Sequence, residues 1–239
     1  MITSLRTPDR VLSPRILPEP IRQFSVRLRA DQTAADFPFA LPPDLLDAHP
    51  VRRLHYAAGR YCAARAIETL DPVRPAPVIG RGGAGEPAWP PGIVGSITHS
   101  GEFVSAAAAR SDEAAGVGID TQEVLSAERL EHVTPVILLP SEIQRAVASD
   151  LGPALWTTVA FCAKEALYKC LYPIVGVRFY YTAAEVTAID QREGTFAIAL
   201  TAPLAGRFER GSIWEGQFEL SRGYVHTGIW QAAVSEAGE

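Results

Sequence analysis

The side chains best equipped for chemistry in this 239-residue chain fall into two groups. One joins acid and base: "FCAKEALYKCLYP", residues 161–173, carries Lys164, Glu165 and Lys169, and "VGID" ends on Asp120. On a helix Glu165 and Lys169 are four apart and share a face, while Lys164 points about 100° away from Glu165. Separately these are ordinary features: a solvated ion pair, and a carboxylate that caps or turns the chain after a strand. Together, a strand-end carboxylate and a helix carboxylate can share Mg2+, which takes one or two protein carboxylates and completes its shell with phosphates and water. That is equipment for phosphoryl transfer.

The other group is cationic: Arg52, Arg53, Arg60, Arg81 and His99. Arg53 and Arg60 are seven apart, within about 20° of each other on a helix, and Arg52 is near enough for its long side chain to converge. Surface arginines are common, so solvated arginines are the competing reading. Between Arg60 and His99 lies "GRGGAGEP", residues 80–87, with Gly80, Gly82 and Gly85 in G-x-G-x-x-G order. A dinucleotide site needs a helix directly after these glycines, but Pro87, Pro90 and Pro91 block helical geometry there. The glycines can still admit backbone amides to a phosphate without that fold.

The elements that must position these groups follow from pattern and punctuation. Residues 1 to about 48 read as proline-studded and irregular, with a strand in "IRQFSVRLRA". A long helix begins near Pro50, with Leu54, Ala58 and Tyr61 on one face. "GIVGSITHS" and "EFVSAAAAR" follow as a strand, a turn and a second apolar element, and "GVGID" as a short buried strand. "SEIQRAVASD" is a helix with Ser141 and Glu142 near its start, and "ALWTTVAFCAKEALYKCLYP" a longer one stopped by Pro173. "AEVTAI", "TFAIAL", "GQFEL" and "YVHTGIWQAAV" alternate as an antiparallel meander, and "SEAGE" at the C-terminus is expected to fray.

Composition narrows the function classes. With 47% hydrophobic and 21% charged residues, the chain is a compact globular protein. A net charge of −5 gives no footprint for nucleic acid or an anionic membrane, so any anion site must be local. "MITSLRTPDR" lacks the apolar core of a signal peptide and no apolar run approaches a membrane span, which points to the cytoplasm. Cys62, Cys162 and Cys170 have no metal spacing, and the last two lie about 12 Å apart along one helix, so free buried thiols are expected. His49, His55, His99, His132 and His226 form no i,i+4 zinc pair.

The ordered set "RRLHYAAGRYCAARAI", "GEPAWPPGIVGSITHS", "VGID" and "FCAKEALYKCLYP" resembles the 4'-phosphopantetheinyl transferases, specifically the monomeric type serving siderophore, nonribosomal peptide and polyketide synthases. The resemblance runs from about residue 50 to 175 and more loosely to about 232. It implies an α+β fold of two similar subdomains, related by a pseudo-twofold with the site in the crevice between them. The junction would fall near residues 120–125, giving 1–122 on the 3'-phosphate side of coenzyme A and 123–239 with the catalytic helix and antiparallel strands. It also implies a Mg2+-dependent transfer of the phosphopantetheine arm of coenzyme A to a serine of an apo carrier protein. The nucleophile belongs to that partner, in keeping with the absence of a G-x-S-x-G elbow.

By the same resemblance Arg52, Arg60 and His99 would hold the 3'-phosphate end of coenzyme A, Thr98 would also bind coenzyme A, and Arg81, Gly82 and Gly83 would do so from the glycine loop. Asp120 and Glu165 would hold Mg2+, Lys169 would stabilise the pyrophosphate, and Lys164 would be a second phosphate partner. Glu165, directly or through water, is the candidate base. Many relatives carry an acidic residue where this chain has Gln122, followed by Glu123, so a neutral amide would stand as third metal ligand. Two other readings compete: a coenzyme A or carrier-protein binding module whose metal site has decayed at Gln122, and an unrelated Mg2+-dependent nucleotide enzyme. Carriers are usually acidic, so docking needs a basic or apolar patch. "VTPVILLPSEI", residues 133–143, reads as such a contact or as core.

Overall fold

A computed structural model describes residues 9–72, 78–83 and 85–233. The expected fraying at 235–239 and Ala84 of the glycine segment lie outside the described residues. The chain is α+β and divides into two compact units, one formed by the described residues of Met1–Ser13 with Glu19–Glu113, the other by Pro14–Pro18 with those of Ala114–Glu239. The division falls earlier than residues 120–125, because the strand carrying Asp120 is one continuous element from Ala114 onward.

In the first unit, strands β1 (Asp9–Val11) and β2 (Arg22–Arg27) are followed by helix α1 (Pro50–Leu70). His49 caps α1 by accepting from the Val51 N–H, and Pro50 takes the first turn, where its missing donor costs nothing. Strands β3 (Gly80–Arg81) and β4 (Pro87–Ala88) form a two-stranded hairpin. Strands β5 (Ile93–Ser100) and β6 (Phe103–Arg110) complete an antiparallel sheet of order β1-β2-β6-β5. The core joins Ala57, Ala58, Ala63, Ala66 and Ile67 of α1 to Phe24, Val26, Val104 and Ala106, with Leu54 and Tyr61 packed at its margin.

The second unit begins with β7 (Ala114–Glu123), then α2 (Ala127–Ile137), α3 (Pro140–Ala148) and α4 (Gly152–Val175). The expected meander follows as β8 (Ala184–Asp190), β9 (Thr195–Leu200), β10 (Ile213–Ser221) and β11 (Tyr224–Ala232), in a sheet of order β7-β11-β10-β9-β8. Asp120 does not end a strand. Pairing with β11 continues to Glu123↔Tyr224, which leaves Asp120 inside β7 opposite Thr227. Nor does Pro173 stop α4. It sits in the last turn, and the helix ends at Gly176, whose φ of 68° is the left-handed cap that glycine adopts without a Cβ penalty.

The segment at 133–143 is mixed, with Pro135, Val136 and Pro140 exposed and the others buried or half-buried. It spans the end of α2 and the start of α3, with Ile137 and Leu138 in the hydrophobic cluster and Glu142 fully buried. All three cysteines are free and buried. Among the described residues no helix is long and apolar enough to cross a membrane.

Candidate active site

The cationic residues of the first unit converge on a pocket of about 190 Å³ lined by Arg52, His55, Tyr56, Arg60, Arg81 and His99, with Ile97 and the hairpin at Gly85 and Pro87. Arg52, His55 or Tyr56, and Arg60 form an i, i+3/i+4, i+8 stripe along α1, the spacing of one helical face. Arg53 leaves this stripe: it donates to the Leu46 carbonyl at 3.0 Å and lines a different cavity, so helical spacing paired Arg60 with the wrong neighbour.

The arginines play different parts. Arg60 is 6% exposed, donates through Nε to the Ile79 carbonyl and through Nη2 to the Gly80 carbonyl, both at 3.1 Å, and lies over the Tyr56 ring. Burial pulls its pKa below the usual value, partly countered by Tyr56, yet a guanidinium stays charged at neutral pH. It both charges the pocket and anchors the entry to the hairpin. Arg81, at the hairpin edge, is ion-paired with Asp44.

The glycine loop is a hairpin tip. The Gly82 N–H donates to the Glu86 carbonyl at 2.8 Å and the Gly85 N–H to the Gly82 carbonyl at 3.0 Å. Those two amides therefore close the turn, and only Gly83 keeps open space around the position a side chain would take. His99 stacks on His55 with ring centroids 4.5 Å apart, and His55 Nε2 donates to the Gly101 carbonyl at 2.8 Å. Thr98 is absent from this pocket. Side chains alternate along β5, so with Ile97 and His99 on the pocket side Thr98 lies buried on the other face.

The second unit gathers the acid–base group. A Cβ on Gly118 would lie 1.8 Å from the Ala166 carbonyl oxygen, and one on Gly116 2.3 Å from that of Cys170. These two bare strand positions let the backbone of α4 rest directly on β7. Lys169 then reaches back to donate to the Ile119 carbonyl at 3.2 Å and to Asp120 Oδ1 at 2.6 Å. Cys162, one helical turn before Glu165, feels the same charges: burial first, then Asp120, with a further push from Glu165, raises its thiol pKa well above the ordinary value.

Glu165 is half-buried and accepts a hydrogen bond at 2.5 Å from the hydroxyl of Tyr181. Burial, followed by that bond, holds the Tyr181 phenol above its usual pKa, so it stays a donor at neutral pH. Gln122 shares the Asp120 face of β7 by strand alternation, and its Nε2 donates to the Glu123 carbonyl at 3.3 Å. Among the described residues no three His, Cys, Asp or Glu side chains form a metal-holding group. Two carboxylates and an amide are nonetheless hard oxygen donors of the kind that suits Mg2+ when phosphates and water supply the remainder.

Lys164 stands apart. It is 3% exposed, and its Nζ donates to Glu142 Oε2 at 2.6 Å and to the Ile137 carbonyl at 2.8 Å. Glu142 also accepts from the Leu139 and Val186 N–H groups, each at 2.7 Å, so the pair ties α2, α3, β8 and α4 together. The ammonium is thereby turned to a buried partner rather than outward to a phosphate. A charge this deep is tolerated only with a partner and satisfied hydrogen bonds.

Sequence reasoning missed His55 and Tyr56, although the i+3 and i+4 positions from Arg52 would have found them. It also missed Tyr181, whose approach to a residue 16 positions earlier has no local signal.

Residues 43–109 match the 4'-phosphopantetheinyl transferase N-terminal domain, and residues 116–227 match the 4'-phosphopantetheinyl transferase superfamily. The chain is 36% identical to 4'-phosphopantetheinyl transferase Svp of Streptomyces mobaraensis, over 79% of this chain and 76% of the relative. It is 38% identical to 4'-phosphopantetheinyl transferase PptT of Mycobacterium tuberculosis, over 74% of this chain and 78% of the relative. Enterobactin synthase component D of Escherichia coli is 32% identical over 49% of this chain and 54% of its own length.

Proposed function

Because the chain belongs to the 4'-phosphopantetheinyl transferase superfamily, we propose that it moves the 4'-phosphopantetheine arm of coenzyme A onto a serine of an apo carrier protein and releases 3',5'-ADP. Carriers of peptide, polyketide or siderophore synthases are the substrate class that the motif resemblance implies, and one relative's name, enterobactin synthase component D, points to such a synthase. The observation that carries the reading is the seat of α4 on β7, which puts Lys169 on Asp120 and leaves Asp120 and Glu165 both acting electrostatically on Cys162 and Tyr181.

In this reading Arg52, Arg60, Arg81, His55 and His99 receive the 3'-phosphate of coenzyme A, where charge-assisted hydrogen bonds favour a dianion. Asp120 and Glu165, with the Gln122 amide as third donor, would hold Mg2+, which supplies charge neutralisation at the pyrophosphate. Lys169 shares that task. Its ammonium already sits on Asp120 and can swing toward phosphate oxygens as negative charge grows on the departing 3',5'-ADP. Glu165 takes the proton of the carrier serine, directly or through one water, so that the hydroxyl oxygen forms the new P–O bond as the old one breaks.

Intact-mass measurement of an apo carrier protein incubated with coenzyme A and Mg2+ tests the proposal. The expected result is a carrier heavier by one phosphopantetheine, with no change when a chelator is present. An unmodified carrier that still binds the protein would instead identify a non-catalytic binding module.

A further inference from the structure

The hydroxyl that touches Glu165 comes from outside the helix carrying it. Tyr181 opens a single 3-10 turn, Tyr181–Ala183, in the connection from α4 to β8. The Ala183 N–H closes that turn on the Tyr180 carbonyl at 2.9 Å. The Tyr181 ring packs against Phe161 with centroids 5.9 Å apart, and Phe161 lies one helical turn before Glu165 on the same face of α4. Ring and hydroxyl thus have separate tasks: the ring is seated by Phe161, and the hydroxyl is delivered to Glu165 Oε1 at 2.5 Å. Glu165 and Tyr181 both line one cavity of about 230 Å³, so their contact stands at an accessible surface and not in closed core.

An ionised carboxylate only accepts hydrogen bonds, through two oxygens related by rotation about its last torsion. On a long, half-buried side chain that torsion is soft. A donor fixed on Oε1 stops the rotation and designates Oε2 as the oxygen for a metal ion or a serine proton. We propose that Tyr181 is a positioning residue that holds Glu165 in a one-oxygen geometry for metal binding and proton transfer. The inference rests on the assignment of Glu165 above and adds a residue that acts only through it. Groups that hydrogen-bond to a metal-ligating carboxylate commonly change metal affinity or activity by about 10–100-fold when removed.

Tyr181→Phe keeps the ring on Phe161 and deletes only the hydroxyl, so an unchanged melting temperature is expected. The readout is Mn2+ binding, followed by the electron paramagnetic resonance of the free ion, with coenzyme A at fixed concentration and no carrier protein. Tyr181→Phe should weaken Mn2+ binding about tenfold, Glu165→Gln should weaken it more, and Tyr181→Phe should have no further effect in the Glu165→Gln background. In transfer assays kcat should fall while KM for coenzyme A stays within about twofold, since no other contact to coenzyme A is altered. If Glu165→Gln weakens Mn2+ and Tyr181→Phe does not, the positioning role is wrong and the assignment of Glu165 survives. If neither variant changes Mn2+ binding, or the parent binds none, the assignment of Glu165 fails and takes this inference with it. Additive losses in the double variant would also overturn it, by showing that the hydroxyl acts elsewhere.

Discussion

Each unit lays one long helix on an antiparallel sheet, but the two contacts differ in closeness. In the first, a Cβ on Gly59 of α1 would come 2.9 Å from the Cγ2 methyl of Ile97, the end of a side chain. In the second, Gly116 and Gly118 of β7 face carbonyl oxygens of α4 itself, 2.3 and 1.8 Å from where a Cβ would stand. The difference matches the reach of the functional groups. Arginine and histidine are long enough to gather over a surface held apart by side chains, as Arg52, Arg60, Arg81 and His99 do. An aspartate has one methylene and little reach of its own, and the close seat of α4 on β7 lets Lys169 come to Asp120 at 2.6 Å. An anion pocket built from long side chains tolerates a loose frame, whereas a short carboxylate gains from a tight one.

The severest test of this contrast removes the short groups. Asp120→Ala and Glu165→Ala should each lower kcat for carrier modification by about 100-fold or more while the protein stays folded, because truncation takes away transition-state charge stabilisation and little packing. Rates within a fewfold of the parent at saturating Mg2+ would dissolve the cluster as a reaction centre.

The two helix seats can be compared directly. Gly118→Ala drives a methyl into backbone that cannot rotate away, and a loss of about 1–3 kcal/mol in chemical denaturation is expected, together with lost activity. Gly59→Ala meets a methyl that can turn aside, and helix propensity favours alanine by about 1 kcal/mol, so its net change should be small. Equal losses would show that the two contacts are energetically alike.

A finer distinction lies within the cationic pocket. Arg52→Ala and His99→Ala should each weaken coenzyme A about tenfold relative to 3'-dephospho-coenzyme A, measured by calorimetry, since only the former carries the group they are assigned to meet. Arg60→Ala should weaken both ligands, because it also releases the Ile79 and Gly80 carbonyls and frees the hairpin. A variant of Arg52 that loses equally for both ligands would move that residue out of the phosphate site.

Much of the frame was legible in local sequence. Pro50 marked the start of α1, and alternation from Ala184 to Ala232 marked the meander, because helix-start signals and side-chain periodicity act over a few residues. The residue types for a cationic pocket and a carboxylate pair were likewise present in order along the chain, as was the family they mark. Tertiary packing decided which of them meet. It separated Arg53 from Arg52 and turned Lys164 inward to Glu142. It closed the glycine loop into a hairpin and brought Tyr181 to Glu165. The two glycines of "GVGID" carried the least signal for the most consequence. A missing Cβ is silent in any local pattern, and its effect exists only where another backbone comes to fill the space.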